Sequence, residues 1–122
     1  MAVTHVSYTP AQNVTVKAQG ALSASTFVTI SADVSGRNPV VKTAAAGNMA
    51  FGVPAHDVAD GGHVMVYRSG HIVTVAATGS LTAGDIVAAG SNGKAVKLTE
   101  GTAPAGVAVS TAADGFVQVA LG

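Results

Sequence analysis

The chain has 122 residues, with six Lys+Arg against six Asp+Glu, four His, no Cys and no Trp. Zero formal net charge and only 10% charged residues argue against a nucleic-acid binder, which clusters Lys and Arg against phosphate, and the missing cysteines exclude a disulfide framework and a thiolate metal site. No stretch approaches the ~20 apolar residues of a membrane helix, and Met1-Ala2-Val3-Thr4-His5-Val6 lacks the basic region and continuous apolar run of a signal peptide. What remains is one Ala/Val/Gly/Thr-rich domain, expected to be made in the cytoplasm. Its core is built largely from Val and Ala; a buried Val stabilises by about 1.5–3 kcal/mol and Ala by less. Such a chain gains from covering part of its weakly charged surface with a partner. The other reading is a compact monomer with a polar but uncharged surface.

In chain order, residues 1–20 read as an arm. Val3, Thr4, His5, Val6, Ser7 and Tyr8 are β-prone, Pro10 interrupts the run, and Val14-Thr15-Val16 has the composition of a strand of its own. Such a segment adds as an extra strand to another chain, or docks as an ordinary first strand in its own sheet. Residues 21–122 read as a single β domain. Phe27-Val28-Thr29-Ile30, Val64-Met65-Val66-Tyr67, Ile72-Val73-Thr74-Val75 and Phe116-Val117-Gln118-Val119 are short β-branched runs, most with turn residues nearby. Val73 and Val75 alternate with Thr74, and Val117, Val119 and Leu121 alternate with Gln118 and Ala120, the period of a half-buried strand. Arg68-Ser69-Gly70 and Ser91-Asn92-Gly93 predict hairpin turns. Residues 55–59 and 110–113 have room for one helical turn each. The fold class is all-β: a small compact domain of two similar β units behind an extended N-terminal arm.

The two units come from an internal near-repeat of about residues 27–70 and 84–122. Gly52 and Gly106 lie 54 positions apart (106 − 52), as do Asp60 and Asp114 (114 − 60), while Val41 aligns with Val96 at 55 (96 − 41). Each copy reads Val-Lys, a Gly-Val strand, an Asp-Gly turn, then an alternating strand. Any Ala/Val/Gly-rich β chain aligns with itself to some extent; the ordered agreement of several landmarks favours duplication. The repeat begins near Ser25, and the arm has no counterpart.

Residues able to carry chemistry are few. Asp60, Asp85 and Asp114 each adjoin a Gly, where a carboxylate hydrogen-bonds local backbone in a turn. The histidines, His5, His56, His63 and His71, contain no i, i+4 pair. His63 and His71 flank the turn at Arg68-Ser69-Gly70 and would face each other across a hairpin, without a third ligand in view. Gly90-Ser91-Asn92-Gly93-Lys94 lacks the spacing and the following helix of a phosphate loop. No serine sits in a nucleophile elbow. The sequence therefore offers no catalytic site, cofactor site or metal site, and no small-molecule substrate.

Leu81-Thr82-Ala83-Gly84-Asp85-Ile86-Val87, the Asn92-Gly93 turn, Lys94-Ala95-Val96-Lys97, Ala105-Gly106-Val107-Ala108-Val109 and the ending from Asp114-Gly115 to Leu121 together resemble the tailed-phage capsid cement proteins. Phe51-Gly52-Val53-Pro54 and Val64-Met65-Val66-Tyr67-Arg68-Ser69-Gly70 are similar to the lambda-type head-decoration family. The resemblance covers most of residues 25–122; Gly, Ala and Val carry it, so its weight lies in their order. It implies a homotrimer on the outer capsid surface of the virion, clamping neighbouring subunits of the major capsid protein after head expansion. It also implies an N-terminal arm that pairs with capsid strands, here Val3, Thr4, His5, Val6, Ser7 and Tyr8. The arm of the lambda-type proteins is richer in polar residues and Pro. The alternatives are another structural β module (tail, fibre or surface layer) and a small β-barrel enzyme or ligand binder, the last requiring Asp57, His63 and His71 to converge on one pocket.

Overall fold

The computed structural model describes residues 14–122. Within them run ten strands: β1 (Val14–Ala18), β2 (Val28–Ser35), β3 (Asn38–Thr43), β4 (Val53–Pro54), β5 (His63–Tyr67), β6 (Ile72–Ala76), β7 (Ile86–Ala89), β8 (Ala95–Lys97), β9 (Pro104–Ala108) and β10 (Phe116–Leu121). The protein is all-β, as its short β-branched runs predict. One 3₁₀ turn, Ser91–Gly93, stands among the described residues, with Asn92 at φ 58° and Gly93 at φ 71°. It joins β7 to β8, an antiparallel pair, as the Asn-Gly signal predicts. Residues 55–59 and 110–113 form no helix.

The strands divide into two five-stranded sheets, β2-β3-β1-β5-β4 and β6-β10-β9-β7-β8. Each sheet closes on itself. In the first, an antiparallel bridge between Val28 and Gly52 joins β2 to the start of β4; in the second, a parallel bridge between Ala77 and Ala95 joins the end of β6 to β8. Read around the ring from its own first strand, the first barrel runs β1-β5-β4-β2-β3 and the second β6-β10-β9-β7-β8. Each ring contains one parallel contact, β1 with β3 and β6 with β8. The topology is the same, strand for strand, and closure removes the sheet edges that would otherwise template aggregation.

The interiors correspond as well. Val16, Val28, Val41, Val64 and Val66 fill the first barrel, and Val75, Val87, Ala95, Val117 and Val119 stand at the matching places in the second. Leu22 and Leu81, each 2% exposed, plug the same end of each barrel. The Leu22 carbonyl accepts the Val58 amide at 3.0 Å, and the Leu81 carbonyl accepts the Ala112 amide at 2.9 Å. The pairing sets Val41 against Ala95, not Val96. Strand parity explains the difference from the sequence alignment: a one-residue slip turns every side chain to the other face, and Val41 and Ala95 are both fully buried. The correspondence also starts earlier than Ser25, since β1 is the counterpart of β6. Val14–Ala18, inside the stretch read from sequence as arm, sits mid-sheet between β3 and β5.

Gly52 and Gly106 show why the repeat keeps glycine there. A Cβ on Gly52 would lie 2.6 Å from the Tyr67 carbonyl oxygen. On Gly106 it would press on the Ala120 carbonyl oxygen and meet Val119 Cγ1 at 2.9 Å. Only a residue without a side chain lets these strands approach so closely.

The two barrels join through a shared apolar layer. Phe27, Ala44 and Val53 of the first are buried in the cluster that fills the second. Backbone bonds stitch the seam: Phe27 N–H donates to the Gly93 carbonyl at 2.7 Å, and Ala76 N–H donates to the Ser25 carbonyl at 2.8 Å.

Candidate functional site

The groups that sequence reading singled out for chemistry do not converge. Arg68-Ser69-Gly70 is not a hairpin turn: β5 pairs with β1 and β4, and β6 pairs with β10, so this segment is the link between the barrels. His63 and His71 are therefore not facing partners. His63 is exposed and stands opposite Lys17. His71 packs on Tyr67, ring centroids 5.1 Å apart, with its Nδ1 at 3.0 Å from the Arg68 carbonyl oxygen. Asp57 accepts the Ala24 amide at 2.8 Å in a loop between β4 and β5. No group of three or more His, Cys, Asp or Glu able to hold a metal occurs among the described residues.

The turn carboxylates divide in two. Asp85 bonds locally, its Oδ2 accepting the Thr82 amide at 2.9 Å. Asp60 reaches across 40 positions to accept the Gly20 amide at 2.8 Å. With Asp57 it ties the β1–β2 connection to the β4–β5 connection, a tertiary role that local turn chemistry does not reveal.

A cleft of about 300 Å³ lies at the seam of the barrels, lined by Phe27, Met49, Phe51, Arg68, Pro104 and Leu121 among others. Its cation is already engaged. Arg68 Nε donates to the Phe51 carbonyl at 2.8 Å, and the guanidinium carbon sits 4.1 Å from the Phe51 ring centroid. This geometry fastens the linker to the first barrel.

The surfaces differ more than the interiors. Around the first barrel, Lys17, Asp33, Arg37, Lys42 and His63 lie on the outer surface, and the tip of the β2–β3 hairpin, residues 32–37, is exposed, Val34 at 60%. Around the second, β6 (IVTVA), β7 (IVAA), β9 (PAGVA) and β10 (FVQVAL) contain no charged residue. Ile72, Ile86, Val107, Val109 and Phe116 on these strands or just beyond them are 64%, 47%, 42%, 43% and 48% exposed. Ile86 pairs with Val107, Val107 with Ala120, and Ala120 with Ile72, an apolar row across four strands. Isolated exposed apolar residues are ordinary on a soluble protein; a contiguous uncharged row marks an interaction site. Val3, Thr4, His5, Val6, Ser7 and Tyr8, the sequence candidates for contact, lie outside the described residues.

Residues 6–122 match the phage cement protein family. The chain belongs to that family. The fold matches the N base of the head fiber gp8.5 of bacteriophage phi29 with a TM-score of 0.72 over 90% of this chain and 92% of that one, at 23% identity. No curated protein matches the chain.

Proposed function

We propose that this cement protein sits as a homotrimer on the outside of an icosahedral phage head and clamps neighbouring subunits of the major capsid protein after expansion. Its action is thermodynamic and involves no bond making or breaking, cofactor or metal. A molecule that binds the expanded lattice and not separated subunits stabilises that lattice by mass action. Many copies, each bridging several subunits, strengthen the effect through effective concentration. The N-terminal segment, with Val3, Thr4, His5, Val6, Ser7 and Tyr8, adds to a capsid strand. The observation that carries this reading is family membership across residues 6–122. The outward apolar row on the uncharged strands β6, β7, β9 and β10 supports it.

The test is co-sedimentation with expanded heads alongside a mass measurement in solution. The full chain is expected to be trimeric and to pellet with expanded heads but not with unexpanded ones. Deleting residues 1–9 is expected to weaken pelleting while the trimer persists. Undiminished pelleting by the deletion variant would reject the role of the N-terminal segment, and a full chain that binds no head would reject the whole reading.

A further inference from the structure

The turn that joins β7 to β8 holds the one Asn-Gly pair of the chain and is also part of the seam between the barrels. Of the four asparagines, Asn13, Asn38, Asn48 and Asn92, Asn92 alone precedes a glycine. Asn-Gly turns easily because both residues accept positive φ. It is also the pair most prone to spontaneous loss of the side-chain amide, since glycine leaves the following backbone nitrogen unshielded. Asn38 precedes Pro39, whose nitrogen is tertiary, and the Asn48 side-chain oxygen accepts the Ala45 amide at 2.8 Å. The first barrel has no such pair at the matching place. Val28 bridges Gly52 as Val87 pairs with Gly106, so β2 corresponds to β7 and Phe27 to Ile86, and the tip of the β2–β3 hairpin reads Ser35-Gly36-Arg37.

Asn92 is exposed, whereas Gly93 is buried against the backbone of the first barrel. The Gly93 carbonyl accepts the Phe27 amide at 2.7 Å, and a Cβ on Gly93 would stand 2.6 Å from the Phe27 carbonyl oxygen. Gly93 N–H donates to the Gly90 carbonyl at 3.2 Å, Gly90 N–H to the Lys94 carbonyl at 2.7 Å, and Lys94 N–H to the Ser91 carbonyl at 3.3 Å. Asn92 stands at φ 58°, ψ 28°. At that ψ the Gly93 nitrogen lies on the opposite side of the Asn92 Cα–C bond from Cβ, turned away from the side-chain amide. Flipping the Asn92–Gly93 peptide in place would bring the nitrogen round but leave Asn92 at positive φ with extended ψ, a region open essentially only to glycine. Asn92 must therefore leave the left-handed region too, and the bonds that tie residues 90–94 together make that move carry Gly93 off Phe27.

We propose that Asn92 is a site of spontaneous deamidation gated by the seam: closed, the turn is inert, and once opened it reacts and cannot re-form its bond to Phe27. In the open turn the Gly93 nitrogen attacks Asn92 Cγ. The new C–N bond closes a cyclic succinimide, the Cγ–Nδ2 bond breaks, and ammonia leaves with the proton of the Gly93 nitrogen. Water then opens the ring at either carbonyl, giving aspartate or isoaspartate. Isoaspartate carries the main chain through Cβ and Cγ, which lengthens the backbone by one carbon directly before Gly93 and leaves a carboxylate beside it. A junction held by a 2.7 Å bond to that glycine does not survive the insertion. Modified copies thus record past openings of the seam, a property of the single chain that is independent of head binding and of association.

The test incubates the native chain, and the chain unfolded in concentrated urea, at mildly alkaline pH. The peptide that contains Asn92 is followed by mass spectrometry, with isoaspartate resolved from aspartate. Deamidation of the native chain is expected to be on the order of 100-fold slower than that of the unfolded chain, because it tracks the population of the locally opened state. Phe27→Leu, which loosens the seam while keeping an apolar side chain there, is expected to raise the native rate on the order of tenfold. Val16→Ala, which weakens the core of the first barrel away from the seam, is expected to leave it unchanged. Should Phe27→Leu not fold, the wild-type chain in urea below its unfolding transition supplies the loosening, with deamidation expected to accelerate ahead of that transition. In hydrogen exchange, protein carrying isoaspartate is expected to lose protection at the Phe27 amide. Equal rates in native and unfolded chain overturn the gate, as does equal acceleration by Val16→Ala, which would assign the reaction to global unfolding. A modified chain that keeps its Phe27 protection overturns the consequence for the junction.

Discussion

The two barrels have one strand order and two kinds of surface. Their interiors match position by position, from the plugging leucines, Leu22 and Leu81, to the glycines that admit close strand approach, Gly52 and Gly106. Outside, the first barrel carries Lys17, Lys42, Asp33 and Arg37, while the four linked strands of the second carry no charge. Closure and a filled core determine what is kept, because a barrel this small is stabilised by side chains packed to interior density. The outward positions are free of that constraint and report what each barrel touches.

The largest expected effect lies where the difference is sharpest. Phe27 is fully buried between the barrels, and its counterpart Ile86 is 47% exposed. Phe27→Ala is expected to cost about 3–5 kcal/mol of unfolding free energy, the usual cost of emptying an aromatic site in a core. Ile86→Ala in dilute, unassociated protein is expected to cost far less, since much of that side chain already meets water. Chemical denaturation of both variants checks the contrast. Equal losses would mean that the two rows are not in different environments, and the comparison between the barrels would collapse.

A smaller effect tests what the barrels share. Gly52→Ala and Gly106→Ala each force a methyl against a backbone carbonyl, of Tyr67 and Ala120 respectively. Backbone cannot rotate aside as a flexible side chain can, so each substitution is expected to cost about 1–3 kcal/mol, the range for overpacking. Similar losses in thermal unfolding would support equivalent roles; a neutral result at either position would remove that pair from the correspondence.

Much of the interior was legible in the residues. The four β-branched runs lie in β2, β5, β6 and β10, and Asn92-Gly93 turns β7 into β8. Pairing was harder to read. Arg68-Ser69-Gly70 has the chemistry of a hairpin turn, yet the same residues serve equally as a link between barrels, and only long-range partners decide between them. The parallel contact within the first ring, β1 against β3, joins segments more than twenty positions apart with no local signature. The contact row was hidden for another reason. Thr74 and Gln118 give β6 and β10 an ordinary in–out alternation, so Ile72 and Phe116, on the same outward faces, do not stand out. The stronger signal was in Ile86-Val87 and Gly106-Val107-Ala108-Val109, where apolar residues occupy both faces of a strand whose outer side is not covered by the chain itself.

The finest distinction between the barrels lies in their loops. In the first, Asp57 and Asp60 accept the Ala24 and Gly20 amides, each at 2.8 Å, and hold the β1–β2 connection against the β4–β5 connection. In the second barrel the place of Asp57 is taken by Thr111, two positions after Val109 on the uncharged side. Asp57→Ala removes one charge-assisted bond at an exposed site and is expected to cost about 1 kcal/mol. The sharper readout is hydrogen exchange. The Ala24 amide is expected to lose protection in the variant while the Phe27 amide, bonded to Gly93 across the seam, keeps its own. Loss of protection at both would show that this loop and the seam open together, making the Asp57 bond part of the junction between barrels and not a local tie within one of them.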